Sequence, residues 1–400
     1  MDKTSRQRIG VILFLSVVTV LLFAGILVNV SISNHLFATT IKTSAPTFLP
    51  SLFNERCYGT KENDTFIGAY FVGKETYVFY NAECGIMQRE GEKENLQIKL
   101  EGQLLFVTLT PQGFAVALKK ADNLSIKIID FDGIPTSSIP ITLKNAEIQY
   151  LGYDENVCVA IKHQGDFDYV LSYFKYDIHL TQVYHRDVYS LYNLSLVACY
   201  PMSNKTIMFF NATYGSVKRG GYTILHNESL SMQTEYFSGV ENYEVLDAKP
   251  YKNGFILTLL TPPSTRVIIM DENMAQSTPE DLGDYLGSTI HTDSNSCYLE
   301  LVKSNGVDLV NYETKETVVG FADEIYDCIF IDGSAVFATR SGDTVYARHL
   351  LTGITAPIIC GHAESVKLVR NERLSVFATL NASSAISPIG GMDVYFASLC

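Results

Sequence analysis

A thiol set in an apolar run is the first residue of this chain that invites a chemical reading. The stretch DENVCVAIK, Asp154 to Lys162, places Cys158 among Val157, Val159 and Ile161. That alternation predicts a strand with one apolar face. A cysteine nucleophile needs an activated thiolate and a nearby base. His163 follows five residues later, an odd spacing that puts it on the opposite face of a strand. Catalysis by Cys158 is therefore not predicted.

Other candidates fail on similar grounds. Cys360-Gly361-His362 brings sulfur and imidazole together, but no second His/Cys cluster at ligand spacing completes a metal site. Asp130-Phe131-Asp132-Gly133 and Asp166-Phe167-Asp168 carry fragments of a calcium loop without its later ligands. They read as turns between strands. A sialidase-like site would want Trp-terminated Asp boxes and an arginine cluster. The chain has no Trp, SGDTVYA (Ser341 to Ala347) is only a faint echo, and the arginines are scattered. Glycosidases need two positioned carboxylates, and no motif marks such a pair. The prediction is a non-enzyme with no catalytic residue, metal or cofactor.

The elements that would position these residues begin beyond a membrane signal. Ile9 to Val28 is an uncharged run of 20 residues, at about 1.5 Å rise per residue enough for a hydrocarbon core of roughly 30 Å. It exceeds the usual signal-peptide h-region. Lys3, Arg6 and Arg8 precede it, so the positive-inside rule leaves the N-terminus in the cytosol. The predicted layout is a cytosolic tail over 1–8, a transmembrane signal-anchor over 9–28, a stalk or linker over 29–53 and an ectodomain over 54–400. The result is a single-pass type II membrane protein.

Glycosylation and cysteine usage agree with export. Sequons stand at Asn29, Asn63, Asn123, Asn193, Asn204, Asn211, Asn227 and Asn381, and such motifs mark acceptor sites in exported chains. Asn29 is too near the bilayer for use, leaving seven predicted sites. All eight cysteines follow the anchor. An even set in an oxidising compartment reads as four disulfides. The net charge of −13 argues against nucleic acid or an anionic lipid surface as partner, since both need a basic face.

Short runs rich in Val, Ile, Tyr, Phe and Thr recur between Gly, Asn, Asp and Pro turns, the pattern of an all-β protein. Groups of four strands begin near Phe66, Leu104, Glu147, Leu194, Tyr243, Leu286, Glu324 and Ser365. That period is the one for propeller blades. The predicted fold is a seven- or eight-bladed β-propeller. Its last module lacks a fourth strand, and the segment near Thr47 to Tyr58 can supply it. Asp271 to Gly287 reads as a loop with a helical turn.

Within this repeat Cys158 has a counterpart. DSNSCYLEL, Asp293 to Leu301, repeats Asp-x-Asn-x-Cys three modules on. The next cysteine after each falls in the first strand of the following module. The predicted bridges are Cys158–Cys199 and Cys297–Cys328, with Cys57–Cys84 and Cys360–Cys400 at the ends of the ring. For binding, VYHRDVYSLYN (Val183 to Asn193) reads as an exposed loop, and its Tyr184, Arg186, Tyr189 and Tyr192 are the candidate contacts, because Tyr and Arg are favoured at hot spots. GSVKRGG (Gly215 to Gly221) reads as a basic hairpin.

The layout resembles that of viral attachment glycoproteins, with an N-terminal anchor and a propeller head, though without their long stalk. That resemblance implies binding of a protein or glycan receptor at a cell or virion surface. Two alternatives are a lumenal carbohydrate-active enzyme of the secretory pathway and a scaffold subunit of a membrane complex.

Overall fold

Eight four-stranded antiparallel sheets follow one another along the chain. The computed structural model describes residues 56–57, 65–91, 96–166, 168–190, 192–227, 232–237, 243–293, 295–331, 333–351, 353–360, 363–370, 374–380 and 393–399. The proposed anchor and stalk lie outside them, as do Asn63, Asn381 and Cys400. Among the described residues no helix is long and apolar enough to cross a membrane.

Blades 1 to 8 open with the strands Thr65–Val72, Gln103–Thr110, Glu147–Asp154, Asn193–Pro201, Glu244–Tyr251, Gly287–Thr292, Glu324–Ile331 and Ala363–Arg370. These starts fall within two residues of the sequence periods. Successive blades contact one another through their opening strands, except that blade 6 meets blade 7 through Gly306–Asn311 and Thr317–Ala322, and Ala363–Arg370 touches Thr65–Val72 to close the ring. Blade 8 takes its outermost strand from the other end of the chain. Arg56–Cys57 pairs antiparallel with Asp393–Leu399, Arg56 opposite Phe396 and Cys57 opposite Tyr395. The sheet is thereby completed by a strand from the predicted segment.

Burial falls from the second strand of a blade to its outermost. GFAVALKK (Gly113–Lys120) begins with six buried residues in a row. Its sheet is covered on both faces by neighbouring blades, which requires a continuous apolar run. The outermost strands Pro135–Ile141 and Met232–Tyr236 are mostly exposed. A register irregularity sits near the start of seven of the eight opening strands, as between Phe66 and Gly68 or Val245 and Asp247. Bulges add local twist.

The core is divided among the seams between blades. Between blades 1 and 2, Phe114 meets Tyr70, Tyr77, Phe79 and Phe131 at centroid distances of 4.8–5.6 Å. Hydrogen bonds cross other seams. Asp247 Oδ2 accepts from Ile290 N at 2.8 Å, and the equivalent Asp327 Oδ2 from Leu368 N at 2.8 Å.

The turns after third strands share a device that accounts for the calcium-like fragment. Asp130 Oδ1 accepts from the backbone N–H of Asp132 and Ile134. Asp177 does the same for His179 and Thr181, and Asp271 for Asn273 and Ala275. The fourth residue of each turn is left-handed, with φ of 77° at Gly133, 59° at Leu180 and 64° at Met274. The aspartate is a turn acceptor.

Two expectations are corrected. The run Val183 to Asn193 is not a loop: Gln182–Ser190 is the outermost strand of blade 3. Asp271 to Gly287 holds no helical turn, and Glu280–Gly283 is a short strand pairing with Ser264–Met270. In both, alternation was masked by polar residues that an outermost strand tolerates.

Candidate functional site

The seam between blades 3 and 4 gathers most of the residues singled out in the sequence. Its apolar centre holds Cys158, Leu171, Tyr173, Val188, Leu194, Cys199, Met208 and Phe210. Thr206 Oγ1 donates to Tyr173 Oη at 3.2 Å, a buried polar contact that crosses the two blades. Cys158 and Cys199 are unbonded thiols here. Burial pushes both up from the ordinary thiol range, so neither is a ready thiolate.

One mouth of the seam is a cleft of about 220 Å³ lined by Asp154, Glu155, Asn156, Lys175, Tyr184 and Asn227, with Val183 and Ser203 completing the wall. Lys175 stands directly opposite Cys158 in the strand register. The other mouth is aromatic. Tyr192 meets Tyr214 at 5.9 Å and Tyr236 at 6.4 Å, and Tyr236 stands edge-on to Phe210 at 5.9 Å. Tyr214 is 67 % exposed and Tyr236 36 %. Arg219 shares their face, because it pairs with Ala212, between Phe210 and Tyr214 on the adjacent strand.

The four predicted contact residues do not form one surface. Tyr184 and Arg186 face the seam, with the guanidinium 5.1 Å from the Tyr184 ring centroid and Nη1 donating to the His185 carbonyl at 2.8 Å. Tyr189 lies on the opposite face of the same strand and donates to Asp187 Oδ2 at 3.0 Å. Tyr192 belongs to the aromatic mouth. Strand parity explains the split: residues 184 and 186 share a face, whereas 189 does not. Tyr214, Arg219 and Tyr236 went unrecognised because they come from three successive strands distant from Tyr192 in sequence.

On the blade-2 side of blade 3, a serine, two histidines and an aspartate converge. His163 Nε2 lies 2.7 Å from Ser172 Oγ, which donates to Asp187 Oδ1 at 2.5 Å. His185 Nε2 lies 2.7 Å from the same carboxylate oxygen. Burial opposes ionisation of Asp187, but hydrogen bonds from Ser172, His185 and Tyr189 outweigh it and hold its carboxyl below the usual range. Burial lowers His163. In a nucleophilic triad the acid orients the base and the base takes the serine proton. Here the serine proton goes to the acid, and Ser172 is 1 % exposed. The cluster is a polar clamp across three strands.

The predicted bridges meet two different geometries. Cys158 and Cys199 share one seam cluster. Cys297 packs between blades 5 and 6, whereas Cys328 borders the cluster between blades 6 and 7. Sheet 6 stands between them, so a Cys297–Cys328 bridge does not fit. The matching Asp-x-Asn-x-Cys spacing hides different hairpins. Asp154 pairs with Asn156 around Glu155 alone, while Thr292 pairs with Cys297 across a four-residue turn. Cys84 is likewise a free thiol; for Cys57, Cys360 and Cys400 the side chains lie outside the described residues.

The sequons also separate. Asn123, Asn193 and Asn204 are exposed. Asn211 is engaged in a seam, Nδ2 donating to Val245 O at 2.9 Å and Oδ1 accepting from Val245 N at 2.8 Å. Asn227 Nδ2 donates to the carbonyls of Met202 and Ser203 at 3.2 and 2.9 Å.

No family model matches the chain, and no curated protein does. Solved structures of similar fold include the Dos1 propeller, at 11% identity and TM-score 0.58, covering 86% of this chain and 95% of that one. BamB from Moraxella catarrhalis shows 10% identity and TM-score 0.51 over 86% and 99%. The dihydro-heme d1 dehydrogenase NirN shows 10% identity and TM-score 0.52 over 74% and 67%. At such identities the likeness is one of fold, and that fold is the all-β propeller.

Proposed function

We propose that this chain is a binding propeller displayed outside the cytosol on a type II anchor, engaging a protein or glycan receptor at a cell or virion surface. The observation that carries the reading is the tyrosine mouth between blades 3 and 4. Tyr192 meets Tyr214 edge-on and Tyr236 at a tilt, while Tyr214 and Tyr236 leave ring surface in water, with Arg219 on the same face. Rigid tyrosines beside an arginine supply contact area at low entropic cost and are favoured at interface hot spots. Propeller folds commonly serve such binding, and the apolar run Ile9 to Val28 with its preceding cations supports the topology.

The test is staining of intact cells that express the full chain with a C-terminal tag, followed by adhesion of those cells to receptor-bearing cells. Surface staining is expected, and adhesion should fall at least tenfold in a Tyr214→Ala/Tyr236→Ala/Arg219→Ala variant that is stained equally well. Staining only after permeabilisation would sink the attachment reading.

A further inference from the structure

We propose that the cleft at the Lys175 mouth of the same seam is a second site, which binds a small carboxylate that also carries hydrogen-bond donors, a hydroxy acid or an amino acid. This site lies at the opposite end of the strands from the tyrosine mouth. Its existence does not depend on the surface-attachment reading.

Two groups in the cleft lack a hydrogen-bond partner among the described residues. Lys175 is 5 % exposed and makes no hydrogen bond or ion pair with the described residues, yet it lines the cleft. Its Nζ opens to the cleft, and an ammonium on so largely buried a side chain, with no anion beside it among the described residues, is a ready partner for one. Asn227 is the other. Its Nδ2 donates to Met202 O and Ser203 O, while its buried Oδ1 accepts from nothing among the described residues. Buried polar atoms are normally satisfied, so each exception asks for an explanation, an absent ligand among them.

The chemistry of the occupant follows from these groups and from the rim. Lys175 calls for an anion. Asn227 Oδ1 calls for a donor, and so do the carboxylates of Asp154 and Glu155, which line the same space. A ligand that is anion alone, such as acetate, leaves Asn227 unanswered. A multiply charged anion such as phosphate meets two carboxylates against one ammonium. A carboxylate with a neighbouring hydroxyl or ammonium answers both demands at once. The volume of about 220 Å³ holds roughly seven water-sized groups, which sets the scale of the ligand. The Tyr184 ring forms part of the wall, with the Arg186 guanidinium 5.1 Å from its centroid.

The experiment uses the full-length protein in detergent. Binding of lactate, glucuronate and serine is followed by saturation-transfer NMR, with acetate and inorganic phosphate as comparisons. In parallel, reductive methylation of Lys175 in the unaltered protein is read by peptide mass spectrometry with and without each compound. At least one of lactate, glucuronate and serine is expected to bind, to slow methylation of Lys175 at least threefold, and to bind at least tenfold more weakly to Lys175→Met. Serine alone would identify the donor as an ammonium; lactate or glucuronate alone, as a hydroxyl. The proposal is overturned if none of the three binds or protects Lys175, if acetate or phosphate does so equally well, or if Lys175→Met binds unchanged. If Lys175→Met does not fold, judged by loss of its thermal transition, protection in the unaltered chain decides. Failure here would leave the tyrosine mouth and its adhesion test untouched.

Discussion

The side-chain amide of Asn211 pairs with both backbone groups of Val245 across the seam between blades 4 and 5. Asn81 makes the same two-way contact with Leu104 across the seam between blades 1 and 2, at 2.7 Å in both directions. An asparagine thus replaces the backbone partner that the bulged opening strand lacks. Only the first of these residues also sits in a sequon. Glycopeptide mass spectrometry of the protein from mammalian cells should find glycan at Asn123, Asn193 and Asn204 and none at Asn211 or Asn227. Asn211→Ala should lower stability by about 1–3 kcal/mol, because it leaves two seam groups unpaired. Full occupancy at Asn211 would contradict the seam geometry.

The cysteines give a second test. Cys158 and Cys199 are the pair that share a seam, so non-reducing peptide maps of exported protein should link them if any of the five described thiols is oxidised. A Cys297–Cys328 peptide should be absent, since sheet 6 separates the two. Finding it would require blade 6 to be rebuilt.

Gly254 begins the second strand of blade 5, where an added Cβ would collide with the Met270 carbonyl. Gly113 stands in the same relation to Ile129 O in blade 2. Gly254→Ala should destabilise by about 1–3 kcal/mol, the cost of forcing apart packed strands. Gly342→Ala should be milder in steric terms, because nothing lies within 4 Å of its Cβ position, although its φ of 60° carries the smaller cost of a left-handed residue. Chemical denaturation of the two variants compares them, and equal midpoints would refute the packing argument.

Acid should loosen blade 3 in two stages. His163 is lowered by burial, so its contribution is present above its unfolded pKa and is lost as pH falls through the folded value. The first loss therefore falls below about pH 6.5. Asp187 is also held low, burial being outweighed by its Ser172, His185 and Tyr189 hydrogen bonds. Its contribution is present above about pH 4 and is lost below that. Thermal melts from pH 7.5 to pH 3 should show the upper stage vanish in His163→Gln and the lower stage shrink in Asp187→Asn. Identical pH profiles for these variants and the parent chain would remove the cluster from the stability account.

The turn aspartates make the last prediction. Asp177→Ala and Asp271→Ala each release two backbone N–H groups in exposed turns, and water can take their place. Each should cost only about 1 kcal/mol, added nearly independently because the turns lie in different blades. A double variant that fails to fold would show that the device does more than close a turn.

Sequence alone determined the repeat. Strands read from Val, Ile, Tyr and Phe between turn residues fell within two residues of the eight blade openings, because each blade needs the same run of doubly covered strands. The closing strand was legible for the same reason: a module with three strands needs a fourth. Asp130 was readable as a turn residue, since a short carboxylate competes for nearby backbone N–H groups wherever it lies. The tertiary structure decided what faced what. The matching Asp-x-Asn-x-Cys motifs send Cys158 and Cys297 into seams on different sides of their blades' sequence neighbours, because hairpin length sets parity and spacing does not reveal hairpin length. The tyrosine mouth joins residues 192, 214, 219 and 236, and the cleft joins 154, 175 and 227. Such groupings are made by strand pairing and by blade contact, which no local pattern encodes.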